Sequence, residues 1–318
     1  MPLTLDSFNR SIPVADFFQV NDPSPAAVVS GSSTRAAEPP GIALPVPFRA
    51  WNSLADDILN NHSVRNRLAG SYLPSWEEGR YFGVEGDVVD ASCLQLTNPV
   101  DLVLSARHRH KTLILNQHSV NNQDARADRI WYKRSDPAIP NEFILSGTGT
   151  IAILDYKRAG VIRPYEFAQA SVSQSYFNQM TDTATYASFS FESNSSIIMR
   201  QAVHYANSYN TRFVAFFDWT CLLLIVLDDL EENLGGEYCY ITLVTERAQM
   251  RRALLGFLEG AYQICAGHKA NFDDLLPNFS IKNKDGTRKH MGPSSGGSGS
   301  GGGSGGGRQH GHRGIPGR

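Results

Sequence analysis

Apolar residues are spread unevenly along the 318-residue chain, and their spacing predicts a run of helices followed by alternating strands and helices. The span 51–68 carries Leu54, Ile58 and Leu68 at helical intervals, and a second helical stretch, 86–108, is interrupted at Pro99. Short β-type segments are expected at 127–132 and 143–145. Thr150 to Tyr156 (TIAILDY) is a continuous run of β-formers ending in an acid, the pattern of a strand buried on both faces. Helical patterns cover 164–180, and 195–209 with Ser195 or Ser196 as N-cap. Two apolar strands, 212–218 and 221–227, are joined by a turn short enough for a hairpin. A strand over 238–244 and an amphipathic helix over 246–265 complete the series. Strands interleaved with helices predict an α/β core, a central mixed sheet flanked by helices.

The ends read differently. Residues 1–47 are rich in Pro, Ser and Ala and have little apolar periodicity, so they are expected to form a disordered arm. Residues 282–318 are dominated by Gly and Ser with scattered Arg and His, the composition of a flexible basic tail. The folded domain is therefore expected over 48–281.

The formal net charge is −2, and setting aside the basic tail leaves 22 basic against 30 acidic residues. That balance excludes a wholly basic nucleic-acid coat but leaves room for a local basic groove. The four cysteines are dispersed without a Cys-x-x-Cys pair, which argues for reduced thiols rather than a disulfide framework or structural zinc. No secretory signal pattern opens the chain, and the longest apolar run, 221–227, is too short to span a bilayer. The expected setting is intracellular, nuclear or cytoplasmic, with no membrane partner.

The chemistry concentrates at the end of the 150–156 strand. Asp155 and Lys157 stand at i and i+2, which puts both side chains on one face. A carboxylate beside a main-chain carbonyl, that of Tyr156, suits a hard divalent cation, and an adjacent lysine can offset charge developing on a phosphate. Such a pair arises readily by chance as a surface ion pair, so its surroundings matter. Asp128 begins a β-type segment 27 residues earlier, a separation that suits an antiparallel neighbour. Gln201 and Tyr205 lie four apart on one helical face. Glu85 opens a helix ahead of both strands, with Glu77, Glu78 and Asp87 as rivals for the same position.

This order of motifs, Glu, then Asp, then Asp-x-Lys at a strand end, then Gln-x-x-x-Tyr on a helix, resembles the PD-(D/E)XK nuclease superfamily and its RecB-like branch. ADRIW, ILDYKRAGVIRPYEF, QAVHYANSY and RFVAFFDWTCLLLIVL more closely resemble nuclease-like domains of large fungal protein families. The likeness covers residues 85–265. It implies a restriction-endonuclease-like core and metal-dependent hydrolysis of phosphodiester bonds in DNA or RNA. Asp128, Asp155 and the Tyr156 carbonyl would bind Mg²⁺ or Mn²⁺, and Lys157 would position the attacking water. Gln201 would orient Lys157 or that water, Tyr205 would support phosphate contact, and Glu85 would be an outer carboxylate. Arg129, Arg158 and Arg163 would be nucleic-acid contacts. The long gap between Lys157 and Gln201 departs from the RecB-like pattern and requires an inserted helix. The alternative is an inactive nuclease fold used to bind nucleic acid or protein.

Other motifs carry less. His108-x-His110, with His118 beyond, sits among Arg107, Arg109 and Lys111, which disfavours a metal and suits a solvated basic loop. Ser146-Gly-Thr-Gly-Thr150 lacks the Lys of a P-loop. Asp228, Asp229, Glu231 and Glu232 read as a solvated acidic loop.

Overall fold

The computed structural model describes residues 3–14, 16–17, 37–73, 81–82, 84–109, 112–119, 126–133, 149–183, 190–228, 238–266, 276, 281–282 and 288–289. Seven strands form one mixed sheet: β1 (Ile42–Pro45), β2 (Thr112–Ser119), β3 (Arg126–Lys133), β4 (Thr150–Tyr156), β5 (Phe213–Phe217), β6 (Leu222–Leu227) and β7 (Tyr238–Val244). Their order is β1-β7-β6-β5-β4-β3-β2. The β1–β7 and β4–β5 pairs are parallel and the others antiparallel. Parallel pairing of β4 with β5 requires a crossover, which is supplied by a 3₁₀ segment (Pro164–Ala170) and two helices, Gln174–Thr183 and Ser193–Tyr209. The central strands β4, β5 and β6 are buried at every position, as uninterrupted apolar runs require when both faces are covered.

Helices α1 (Phe48–Leu59), α2 (His62–Arg67), α3 (Glu85–Ser92), α4 (Asn98–His108), α5 (Gln174–Thr183), α6 (Ser193–Tyr209) and α7 (Met250–Cys265) cover the sheet. One core layer joins α1, α3, α4 and α7 to Trp131, Ala152, Leu154 and Tyr156. The other joins α6 and the 3₁₀ segment to Ile130, Ile153, Val214 and Phe216. Successive residues of β3 and β4 thus serve opposite layers, which decides where each polar side chain of these strands goes. Helices α7 and α1 pack backbone against backbone. A Cβ at Gly256 would fall 1.9 Å from the Trp51 carbonyl oxygen, so only glycine permits it.

Several expectations are corrected. Residues 3–14 and 37–47 do not behave as a disordered arm: Phe8, Ile12, Ala43 and Leu44 are buried, and β1 pairs with β7. A one-turn 3₁₀ helix (Leu5–Asn9) and a four-residue edge strand are too short to show periodicity, which is why they escape a pattern search. Their binding partner is distant in sequence. The buried Arg251 guanidinium of α7 donates to the carbonyl oxygens of Ser7 (2.8 Å), Arg10 (3.1 Å) and Gln95 (2.5 Å). At the other end, Ile281–Lys282 and Arg288–Lys289 form a two-stranded ribbon that enters the expected flexible tail.

The single helix expected over 51–68 is two, because Asn61 stops the first and its side chain accepts the Val64 N–H of the second. The 86–108 stretch is α3, a π-helical segment (Cys93–Thr97) and α4, with Pro99 in the first turn of α4. Helix α6 starts at Ser193, so Ser195 lies inside it, where its hydroxyl accepts the Glu192 N–H (3.1 Å). Helix α7 begins at Met250 rather than 246. The β2 strand was unanticipated, and the strand expected over 143–145 falls outside the described residues. Among the described residues no helix is long and apolar enough to cross a membrane, and the four cysteines are free.

Candidate active site at the end of strand β4

Strands β3 and β4 run antiparallel with Arg129 opposite Leu154. One step along that register sets Asp128 across from Asp155, on the face that packs against α6. Asp155 is buried (4% exposed), an expensive position for a carboxylate unless its oxygens are engaged. Both are. Oδ2 takes the Lys157 ammonium and an N–H of the Gln201 amide (3.4 Å), while Oδ1 accepts the Tyr205 hydroxyl (3.2 Å). Gln201 also donates to the Tyr205 oxygen (2.7 Å), so the two α6 side chains act on Asp155 as a linked pair. The Gln201 Oε1 atom is buried and has no hydrogen-bond partner among the described residues.

Asp128 is half-buried, and its Oδ2 accepts the Tyr156 main-chain N–H (2.8 Å). Its carboxyl is pushed up to about 7, first by burial and then by the Asp155 carboxylate, against the pull of the Tyr156 N–H. Glu85, exposed at the first position of α3, is also raised, by partial desolvation and by Asp155, with Lys157 opposing. Burial works against the Lys157 ammonium, but Asp155, Glu85 and Asp128 outweigh it and raise Lys157 above its ordinary value. Its Nζ also lies 5.6 Å from the centre of the Phe216 ring. Among the described residues, three carboxyl groups therefore surround one ammonium.

Asp128, Asp155, Lys157, Gln201, Tyr205 and Glu85 thus converge from β3, β4, α6 and α3. Asp87, a rival for Glu85, accepts the Val84 N–H (2.9 Å) and caps α3. Glu77 and Glu78 fall outside the described residues.

Two of the three expected nucleic-acid contacts are engaged with carboxylates of the chain itself. Arg129 alternates with Asp128, so it enters the opposite layer, where it is buried against Asp101 and lies 5.6 Å from the Trp131 ring. Arg163 pairs with the buried Glu166 (3.2 Å), which itself accepts the Ser195 N–H of α6 (3.1 Å). Arg158 is half-buried on the loop that leaves Lys157.

His108 is not part of a solvated loop either. It ends α4 stacked on Tyr262 (3.6 Å) and bonded to the buried Glu259 (2.7 Å). His110 lies outside the described residues. Asp228, expected in a solvated loop, is buried.

One supporting residue went unnoticed in the sequence. Asp218, fully buried in the β5–β6 turn, accepts the N–H groups of Ile162 (2.7 Å), Thr220 (2.9 Å) and Cys221 (2.8 Å). It ties the loop after Lys157 to the hairpin. An acid directly after a strand and two residues before a Thr is a local turn signal, but its long-range bond to Ile162 is not readable from it.

No protein-family model matches the chain, and neither a curated protein nor a solved structure matches it at a significant level. The functional reading therefore rests on the residues themselves.

Among the described residues no group of three or more His, Cys, Asp and Glu side chains has metal-chelating geometry. Two facing carboxylates still fit a cation that keeps most of its water, which is how Mg²⁺ is commonly held. The buried Gln201 Oε1, which has no hydrogen-bond partner among the described residues, is a spare acceptor beside these carboxylates.

Proposed function

We propose that this chain is a metal-dependent phosphodiesterase of the PD-(D/E)XK type, with a restriction-endonuclease-like core, acting on nucleic acid. The observation that carries the reading is the pairing of Asp128 and Asp155 across adjacent strands, with Lys157 bonded to the second and Gln201 and Tyr205 fixing it from one helix. A carboxylate that raises its neighbour's affinity for protons, as Asp155 does for Asp128, also favours a divalent cation in the proton's place.

Asp128, Asp155 and the Tyr156 carbonyl would hold Mg²⁺ or Mn²⁺, which when bound supplies positive charge for the scissile phosphate and lowers the pKa of water. Lys157, kept charged by its acidic neighbours, stabilises charge that builds on phosphate oxygens and orients the attacking water. Gln201 and Tyr205 hold the Asp155 carboxylate in one orientation, leaving Gln201 Oε1 as an acceptor. Glu85 adds a third carboxylate at the open side, and Arg158 is the remaining candidate for phosphate contact.

The test is incubation of the full chain with plasmid, single-stranded DNA and RNA in Mg²⁺ or Mn²⁺, beside Asp155→Asn. Metal-dependent cutting that the variant loses is the expected result, and the substrate cut decides between DNA and RNA. Absence of cutting on all three overturns it.

A second reading, a non-catalytic module of the same fold that binds protein rather than nucleic acid, draws on the engagement of Arg129 and Arg163 with internal carboxylates. Neither cutting nor binding of any of these nucleic acids, by wild type and Asp155→Asn alike, is the outcome that selects it.

A further inference from the structure

Helix α6 presents a third polar side chain in line with Gln201 and Tyr205. Tyr209 follows Tyr205 by four residues, is fully buried, and its hydroxyl oxygen accepts the main-chain N–H of Ala127 (3.2 Å). The Tyr205 hydroxyl shares its single proton between Asp155 Oδ1 and the carbonyl oxygen of Arg126, 3.2 Å from each. The Arg126 carbonyl and the Ala127 N–H belong to one peptide group. Two tyrosines one helical turn apart, with ring centres 6.5 Å from each other, therefore grip that peptide at its two ends. The next residue is Asp128.

A peptide plane held at both ends has little freedom to rotate, and the Cα it leads into carries one of the two facing carboxylates. Tyr205 touches both sides of the site: Asp155 directly, and Asp128 through the backbone that precedes it. Tyr209 completes the grip without reaching the carboxylates. Burial raises its phenol above the ordinary value, so it is a neutral group.

We infer that Tyr209 is a positioning residue, which together with Tyr205 fixes the separation of Asp128 from Asp155 by clamping the Arg126–Ala127 peptide. The inference rests on the metal-dependent reading of the site and extends the Gln-x-x-x-Tyr pattern by one further turn.

Tyr209→Phe is the direct test, because it keeps the ring in the core and removes only the oxygen. Two quantities are read: exchange of the Ala127 amide by NMR, and the Kd for Mn²⁺ by calorimetry. The expected result is faster exchange at Ala127, on the order of tenfold for a lost hydrogen bond, with a comparably weakened Mn²⁺ Kd. Val203→Ala, which removes buried methyl groups from the same helix away from the clamp, controls for loosening of α6. It is expected to lower the melting temperature while the Mn²⁺ Kd stays at the wild-type value. Equal Mn²⁺ affinity in wild type and Tyr209→Phe overturns the inference alone, as does unchanged Ala127 exchange. Equal weakening by Val203→Ala overturns it too, by reducing Tyr209 to a packing residue. If the wild-type chain binds no Mn²⁺, the reading beneath it fails and the inference falls with it.

Discussion

Two carboxylate clusters lie back to back across strands β3 and β4. On the α6 side, Asp128, Asp155 and Glu85 share a single ammonium, that of Lys157. On the α4 side, Asp101 meets the Arg129 guanidinium with one oxygen and the Trp131 indole N–H (2.7 Å) with the other. Both clusters raise a carboxyl above its ordinary value of 3.8, Asp128 to about 7 and Asp101 to about 6, and burial is the leading cause in each. The remaining causes differ in sign. The neighbours of Asp101 all lower it, whereas Asp155 and Glu85 push Asp128 further up. One cluster is internally neutralised and closes two elements together. Among the described residues the other sets three carboxyl groups around one ammonium at a strand end, the arrangement expected where a cation is to be received.

The largest expected effect concerns chemistry and should belong to the α6 side alone. Lys157→Ala is expected to reduce cleavage by about 10²–10³-fold, the scale of removing one preorganised electrostatic contact. A stability measurement beside it should show the fold retained, and an activity within twofold of wild type would remove Lys157 from the mechanism.

Stability should separate the clusters next. Asp101→Ala strands the Arg129 charge in the core, and unfolding in urea is expected to show a loss of about 3–5 kcal/mol. Asp128→Asn should act in the opposite direction in metal-free protein near pH 8. It relieves repulsion against Asp155 and is expected to stabilise by roughly 2 kcal/mol, discounted from the full linkage value because Asp128 is partly exposed. Destabilisation of similar size in both variants would erase the distinction.

Saturating Mn²⁺ should replace that relief in the wild type. At a hundred times its Kd it is expected to add about 2.7 kcal/mol, read as a higher melting temperature that Asp128→Asn abolishes. An equal shift in the variant would place the metal elsewhere.

The smallest effect is the pH dependence. A carboxyl raised by folding binds protons that the unfolded chain has already released, so stability falls as pH rises from 3.8 to the folded value. The Asp101 contribution ends at about 6 and that of Asp128 continues to about 7. Between these values metal-free protein is expected to lose about 1 kcal/mol. That slope should vanish in Asp128→Asn and persist in a variant of Asp101 that still folds.

How far the sequence could be read depends on the length over which each signal acts. The β4 to β7 strands are legible because unbroken apolar runs bounded by turns have few alternatives, and 238–244 matches β7 residue for residue. The shared face of Gln201 and Tyr205 follows from helix periodicity, whereas the register that sets Asp128 opposite Asp155 comes from the pairing of β3 with β4. Arg129 shows the limit of the same rule. Its alternation with Asp128 is plain, but a neighbour in sequence to a site residue is not thereby a neighbour in space, and the partner that claims it, Asp101, lies on another element.

By itself the sequence determined the apolar strands, the principal helices and the order of the polar residues at the β4 end, because these depend on periods of two to four residues. The tertiary structure decided which charges remain uncompensated. It sent Arg129 to an internal carboxylate, that of Asp101, and drew residues 3–14 and 37–47 into the core through Arg251 and β7. It also brought the Arg126–Ala127 peptide between two tyrosines of α6. Those outcomes turn on partners separated by tens to hundreds of residues, and a buried charge or peptide group is settled by whichever partner packing delivers.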